Sequence, residues 1–239
     1  MKYAAYTGTR NIYGDMVTAA KSLLYHTAVD KVYFLIEDDT LPYEVPDVIE
    51  CINVSGETLF SKDSPNYDSG WTYMVLWKAA LSKVLKDVDK VVLLDSDAII
   101  VDNISDLWET DIEEYYYAAC LEPYGSKARA GEPYYNFGVT YQNLKKLRED
   151  GLDNKIIARL NTIFMPFKEQ DTFSMLCKGH IKEISSDYNA CCVTKPSEHP
   201  KIIHYAARNN WRGLPIVQKY AAMSWREVLH ENPDRSTDV

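Results

Sequence analysis

The segment Lys90-Val91-Val92-Leu93-Leu94 runs without a break into Asp95-Ser96-Asp97. A strand that is apolar at every interior position must be covered on both faces. That is the condition of a parallel strand inside a sheet flanked by helices, not of a strand with one face in water. Open sheets of this kind place ligands beyond the carboxyl ends of their strands, so the two carboxylates arrive where a ligand would sit. Like charges at that spacing repel, and a cation between them relieves the repulsion. Carboxylate oxygens suit Mg²⁺ or Mn²⁺, ions that commonly bridge phosphate oxygens. Without an ion the repulsion is expected to stand unrelieved, so Asp97→Asn should leave metal-free stability unchanged or slightly raised. The plainer alternative is a solvated Asp-x-Asp turn closing the strand.

The rest of the chain alternates in keeping with this. Strands are expected over 2–7, 31–36, 48–54, 115–121, 137–141 and 202–206. Met16, Ala20, Leu23 and Leu24 fall on one face of a helix, and 143–160 reads as another. Residues 71–88 carry a wide apolar stripe at helical spacing, including Tyr73, Leu76, Trp77 and Leu81. The Ser-, Asp- and Gly-rich stretch 55–70 reads as a long surface loop, and the polar 231–239 as a frayed tail. This order predicts a single α/β domain with a mainly parallel central sheet flanked by helices.

Charge and composition remove several classes of function. The net charge is −9 and the pI near 5.1. Lys and Arg are scattered rather than gathered in the basic stripe that nucleic acid requires. No apolar run approaches the roughly 20 residues of a membrane span. Met1-Lys2-Tyr3-Ala4-Ala5-Tyr6 does not read as a secretory leader. The five cysteines have no metal-binding spacing, and Cys191-Cys192 are adjacent. They read as reduced thiols, which gives a cytoplasmic expectation.

Six short strings, in order over roughly Lys2 to Trp211, resemble the retaining glycosyltransferases of family 8, the glycogenin and bacterial lipopolysaccharide-galactosyltransferase group. Thr7, Asn11 and Tyr13 resemble the uridine-binding segment, and Ala19-Ala20-Lys21-Ser22 a common family string. Asp95-Ser96-Asp97, followed by Ile104-Ser105-Asp106-Leu107-Trp108, is similar to the D-x-D motif and its sequel. Tyr135-Asn136-Phe137-Gly138-Val139, Glu169-Gln170-Asp171 and Ile203-His204-Tyr205 match three further motifs. The resemblance implies a nucleotide-sugar-binding, GT-A type, Rossmann-like domain over 1–215, with 216–239 as a C-terminal helix and polar tail. It further implies a retaining, metal-dependent transfer of a hexose, glucose or galactose, from a UDP-sugar to a glycan or other hydroxyl acceptor.

Residue roles follow from the same resemblance. Asp95, Asp97 and His204 would hold the metal, a mixed O/N set that favours Mn²⁺ with Mg²⁺ as an alternative. Lys78, Asn136, Glu169 and Gln170 would position the sugar. Thr7, Asn11, Tyr13, Ser96 and Glu122 would meet the donor. One departure matters: Asn210 stands where many members have a diphosphate-binding Lys before Pro-Trp, so Arg208 or Arg212 would have to substitute. Two other readings stand beside this one. Asp-x-Asp after an apolar strand also opens haloacid-dehalogenase-type phosphatases, and the loss of the Lys would fit an inactive nucleotide-sugar-binding protein. Trp71 and Tyr73 are either core residues or an aromatic platform for an acceptor.

Overall fold

The computed structural model describes residues 1–230. The first half of the chain forms β1 (Tyr3–Gly8), α1 (Tyr13–His26), β2 (Lys31–Ile36), β3 (Ile49–Asn53), α2 (Leu81–Val84), β4 (Lys90–Leu94), β5 (Ala98–Ile100) and β6 (Tyr117–Leu121). It continues with α3 (Pro123–Ala128), β7 (Tyr135–Asn143), α4 (Leu144–Glu149), α5 (Leu152–Thr162), α6 (Lys168–Leu176), β8 (Ile181–Ile184), β9 (Ile202–His204), α7 (Pro215–Ala222) and α8 (Trp225–His230). Seven strands make one sheet in the order β3-β2-β1-β4-β7-β6-β8, and β5 pairs with β9 in a small second sheet. Every neighbouring pair in the large sheet is parallel except the two that involve β7.

Strand β4 shows why the sheet is covered on both sides. Val92 and Leu94 enter the core beneath α1, α7 and α8, while Val91 and Leu93 enter the opposite core beneath α2, α4, α5 and α6. All four side chains are buried, each stabilising the fold by about 1.5–3 kcal/mol relative to exposure. Helices α7 and α8 add Val217, Tyr220 and Val228 to the first core. The polar tail expected over 231–239 lies outside the described residues.

Some elements differ from the sequence expectation. The helix expected over 71–88 is a 3₁₀ segment, Tyr73–Ala79, followed by the four-residue α2. Met74, Leu76, Trp77, Lys78 and Ala79 are all buried, so the segment has no broad polar face for an amphipathic α-helix to present. The helix expected over 143–160 is cut by Gly151, whose φ of 61° only glycine adopts cheaply. Strand β9 is shorter than expected and pairs with β5 rather than joining the large sheet. Strand β8 reads Ile-Lys-Glu-Ile, whose charges suit an exposed edge and hide the strand from an apolar search. The loop 55–70 is pinned: buried Asn66 donates to the carbonyls of Leu160 (2.6 Å) and Ile163 (2.7 Å). Among the described residues, no helix is long and apolar enough to cross a membrane.

Candidate functional site

Strand β7 runs against β4, so the start of β7 lies beside the end of β4. Leu94 pairs with Val139, and the Asp95 N–H donates to the Gly138 carbonyl at 2.8 Å. The small sheet brings up the third participant, since Ala98 pairs with His204 and the Tyr205 N–H donates to the Asp97 carbonyl at 3.0 Å. Asp95, Asp97 and His204 therefore meet at the carboxyl edge of β4, with one potential ligand atom from each lying within 4.8 Å of the others. His204 Nε2 is 3.3 Å from Asp97 Oδ1 and 3.8 Å from Asp95 Oδ2. Its Nδ1 faces Asn189 Oδ1 at 2.8 Å. Two carboxylate oxygens and an imidazole nitrogen, all turned to one point, fit a divalent cation of the Mn²⁺ or Mg²⁺ kind.

The ring of His204 packs on Gly138. A Cβ at that position would lie 2.8 Å from Nδ1 and 2.9 Å from Nε2, closer than real Cβ atoms come. The glycine in the Asn-Phe-Gly string is thus required by the histidine of a segment far along the chain.

Lys78 closes the other side of the cluster. It is buried, with Nζ 2.5 Å from Asp95 Oδ1 and 3.4 Å from Glu169 Oε1. Burial alone would lower its pKa, but the carboxylates of Asp95 and Glu169 outweigh burial and raise it. His204 behaves alike: burial opposes its charged form, yet hydrogen bonds with Asp97 and Cys191 and the charges of Asp97 and Asp95 raise its pKa to about 10. Glu169 goes the other way for its type. Burial pushes its carboxyl up to about 7 against the pull of Lys78, which is committed more closely to Asp95. Its Oε2 is buried without a hydrogen-bond partner.

These groups line a cavity of about 380 Å³ together with Thr7, Ser96, Asn136 and Gln170. The first turn of α6 supplies Glu169 and Gln170 after a left-handed residue, Lys168, at φ 38°. Lys168 is buried and donates to the Trp71 carbonyl at 2.7 Å, which holds the strained turn in place. Asp171 anchors the same turn by accepting from the Phe167 N–H (2.8 Å) and the Tyr134 hydroxyl (2.8 Å). Glu122 stands behind the wall and accepts from Gln170 Nε2 (3.0 Å) and Asn136 Nδ2 (3.3 Å).

Besides Glu122, three residues expected at the donor site lie outside the cavity wall. Asn11 is exposed and bonded to the Thr9 hydroxyl. Tyr13 is fully buried at the start of α1, where its hydroxyl donates to Asp38 (3.2 Å) and accepts from the Glu37 N–H (3.0 Å). Arg208 is exposed and sits 5.7 Å from the Tyr205 ring. The arginine in the wall is instead Arg212, which makes a forked contact with Asp15, Nε to Oδ1 at 2.8 Å and Nη2 to Oδ2 at 2.7 Å. At the rim, Trp71 and Phe167 are each about half exposed, with ring centroids 5.7 Å apart. Tyr73 is not part of that rim; it stacks on Tyr67 and donates to Glu37. Asn189 and Asp15 are participants that the sequence reading missed. Neither sits in a recognisable string, and only the fold brings them to the site.

The fold is that of GT-A type glycosyltransferases. The chain belongs to glycosyl transferase family 8, whose profile matches residues 5–211. A putative glycosyltransferase of Haemophilus influenzae is 31% identical over 120 residues, covering 46% of this chain and 36% of that protein. The glycosyltransferase GlyA of Streptococcus pneumoniae is 26% identical over 236 residues, covering 90% of this chain and 32% of GlyA. The chain thus spans about a third of the length of these relatives. Among solved structures, the glycosyltransferase GlyE of Streptococcus pneumoniae superposes with a TM-score of 0.72 at 22% identity, over 98% of this chain and 65% of GlyE. The galactosyltransferase LgtC, crystallised with donor and acceptor sugar analogues, gives 0.71 at 18% identity, over 96% of this chain and all of LgtC. Family membership sets aside the phosphatase alternative.

Proposed function

We propose that the chain is a retaining, divalent-metal-dependent hexosyltransferase that takes glucose or galactose from a UDP-sugar and passes it to a glycan or other hydroxyl acceptor. The observation that carries this reading is the convergence of Asp95, Asp97 and His204 on the wall of a cavity that Glu169 and Gln170 also line. The description of LgtC as a galactosyltransferase bound to donor and acceptor sugar analogues supports the hexose.

Asp95, Asp97 and His204 would hold Mn²⁺ or Mg²⁺, which supplies Lewis-acid neutralisation of the charge that grows on a departing diphosphate. Arg212, in the wall, adds a guanidinium fork suited to phosphate. Lys78 holds the Asp95 carboxylate in place. Thr7 and Ser96 line the donor side, while Asn136 and Glu169 face the sugar, with Glu169 Oε2 left for a hydroxyl. Gln170 is a poor nucleophile here. Its Oε1 already accepts from the Phe137 N–H at 3.1 Å and its Nε2 donates to Glu122. That supports front-face attack, in which the departing phosphate oxygen takes the proton of the acceptor hydroxyl. The half-exposed Trp71 and Phe167 offer aromatic faces at the rim where an acceptor would approach.

The test is a panel of nucleotide sugars scored for Mn²⁺-dependent release of the nucleotide, followed by NMR of the product. An α-linked product from a UDP-α-hexose is expected. A β-linkage would remove the retaining mechanism. Binding of UDP with metal but neither transfer nor slow donor hydrolysis would leave an inactive nucleotide-sugar-binding protein instead.

A further inference from the structure

Asn189 is fully buried and lies in none of the strings that resemble family motifs. It follows the short 3₁₀ turn Ser186–Tyr188, in an irregular stretch between β8 and β9. Backbone bonds fix it against β9: the Ala190 N–H donates to the Ile202 carbonyl at 3.0 Å, and the His204 N–H to the Ala190 carbonyl at 3.0 Å. Its side chain spans two others. Nδ2 donates to Asn136 Oδ1 at 2.9 Å, and Oδ1 faces His204 Nδ1 at 2.8 Å.

The direction of this chain of bonds is set by an atom that cannot reverse its role. The Gly138 backbone N–H can only donate, and it donates to Asn136 Oδ1 at 3.0 Å. Asn136 therefore turns its oxygen toward Gly138 and its Nδ2 toward the Glu122 carboxylate, which accepts. An oxygen at Asn136 requires the Nδ2 of Asn189 opposite it. That leaves the oxygen of Asn189 for His204, and an oxygen can only accept, so His204 Nδ1 must carry a proton and donate. The nitrogen left for a cation is Nε2, the one turned toward Asp95 and Asp97. Gln170 is oriented by the same logic, since the Phe137 N–H fixes its oxygen and sends its Nε2 to the same Glu122 oxygen.

We infer that Asn189 is a positioning residue for the metal site: it commits His204 Nδ1 as a donor, presents Nε2 to the cluster, and takes its own orientation from the Gly138 backbone through Asn136. Metal-bound histidines are commonly steered through their second nitrogen in this way, and loss of such a partner typically weakens metal binding 10–100-fold. The inference rests on the metal reading of Asp95, Asp97 and His204 given above. It adds that the histidine is wired to the residues that face the sugar.

The experiment combines Mn²⁺ titration calorimetry on the full chain with ¹⁵N-resolved NMR of the histidine ring protons. His204→Ala identifies the His204 signals. The parent should show a hydrogen-bonded, slowly exchanging His204 Nδ1–H. Asn189→Ala should lose that signal and bind Mn²⁺ about 10–100-fold more weakly, with no further loss when placed in the His204→Ala background. Asn189→Asp keeps an acceptor for Nδ1–H, so it should retain the signal and bind more tightly than Asn189→Ala. Cys191→Ala removes a further side chain that interacts with the ring and should keep the signal. Mn²⁺ binding by Asn189→Ala as tight as the parent's, or loss of the signal in Cys191→Ala, would overturn the role of Asn189. A parent that binds no Mn²⁺ would instead overturn the metal site itself, and this role with it.

Discussion

Lys78 grips Asp95 by one carboxylate oxygen and leaves the other facing His204: Nζ to Oδ1 is 2.5 Å, and Oδ2 to Nε2 is 3.8 Å. A buried ammonium that loses its partners is costly, and so is a carboxylate that loses its ammonium. Lys78→Met should therefore destabilise the metal-free protein by about 3 kcal/mol. Added Mn²⁺ should raise the melting temperature of the variant by more than it raises the parent's, because the ion then replaces the missing charge. Melting curves with EDTA and with Mn²⁺ decide it; equal shifts in both proteins would separate Lys78 from the cluster.

The structure changes the sign of one expectation drawn from the sequence. The repulsion between Asp95 and Asp97 is not unrelieved without metal, because Lys78 and His204 stand against them. Asp97→Asn should consequently lose stability in EDTA, on the order of 2 kcal/mol near neutral pH, rather than hold or gain it. It should also lose the extra stability that Mn²⁺ gives the parent by mass action.

The same ion pair makes metal-free stability depend on pH. His204 is raised to about 10, so its contribution is complete below its ordinary value near 6.5 and fades as pH climbs through 10. Asp97 is lowered: burial works against its charge, but His204 and Lys78 prevail. Its contribution is present above the ordinary carboxylate value and is lost as pH falls through the depressed one. Urea denaturation in EDTA should show the advantage of the parent over Asp97→Asn to be largest between about pH 4 and 6.5 and to decline from there toward pH 10. An advantage that grows above pH 7 would contradict the pairing.

Gly138→Ala should push the His204 ring off its seat. Overpacking of this kind costs about 1–3 kcal/mol, and the displaced imidazole should cut Mn²⁺ affinity as well. Gly56 has open space around the same position, so Gly56→Ala serves as the comparison and should change neither quantity. Calorimetry and thermal melts of the two variants measure both.

The cavity wall contains Arg212 and not Arg208. Arg212→Ala should weaken UDP binding by about 1.5–3 kcal/mol, the range for a hydrogen bond to a charged group. Arg208→Ala should leave it nearly unchanged. The reverse ranking by titration calorimetry would put the phosphate-binding cation on the other side of Trp211.

Much of the site was legible because its chemistry is concentrated in short strings tied to regular elements. An apolar strand cannot be read in many ways, and β4 delivered Asp95 and Asp97 where expected. Asn136 and His204 were legible through the strings that carry the family resemblance. Tyr13 and Asn11 lie outside the cavity wall, since their place in a string says nothing of which way a side chain points; Tyr13 turns inward to brace Glu37 and Asp38. Lys78 was assigned to a helix that is mostly 3₁₀, because a wide apolar stripe does not distinguish the two. Asn189 was invisible. A polar residue in an irregular stretch carries no local signal, and its side-chain partners, Asn136 on β7 and His204 on β9, are supplied only by the fold.

The pairing of β5 with β9 bears on the birth of the protein at the ribosome. The acid pair is synthesised roughly a hundred residues before the histidine that meets it, an interval of several seconds or more at about 5–20 residues per second. During that time the carboxylates lack the imidazole, and β5 lacks its only strand partner among the described residues. Among the described residues, the last strand to emerge is the one that brings His204 to the acids. On the proposed metal site, capture of the ion through the imidazole would wait for β9, so a nascent fragment ending before Ile202 carries the acids without the histidine.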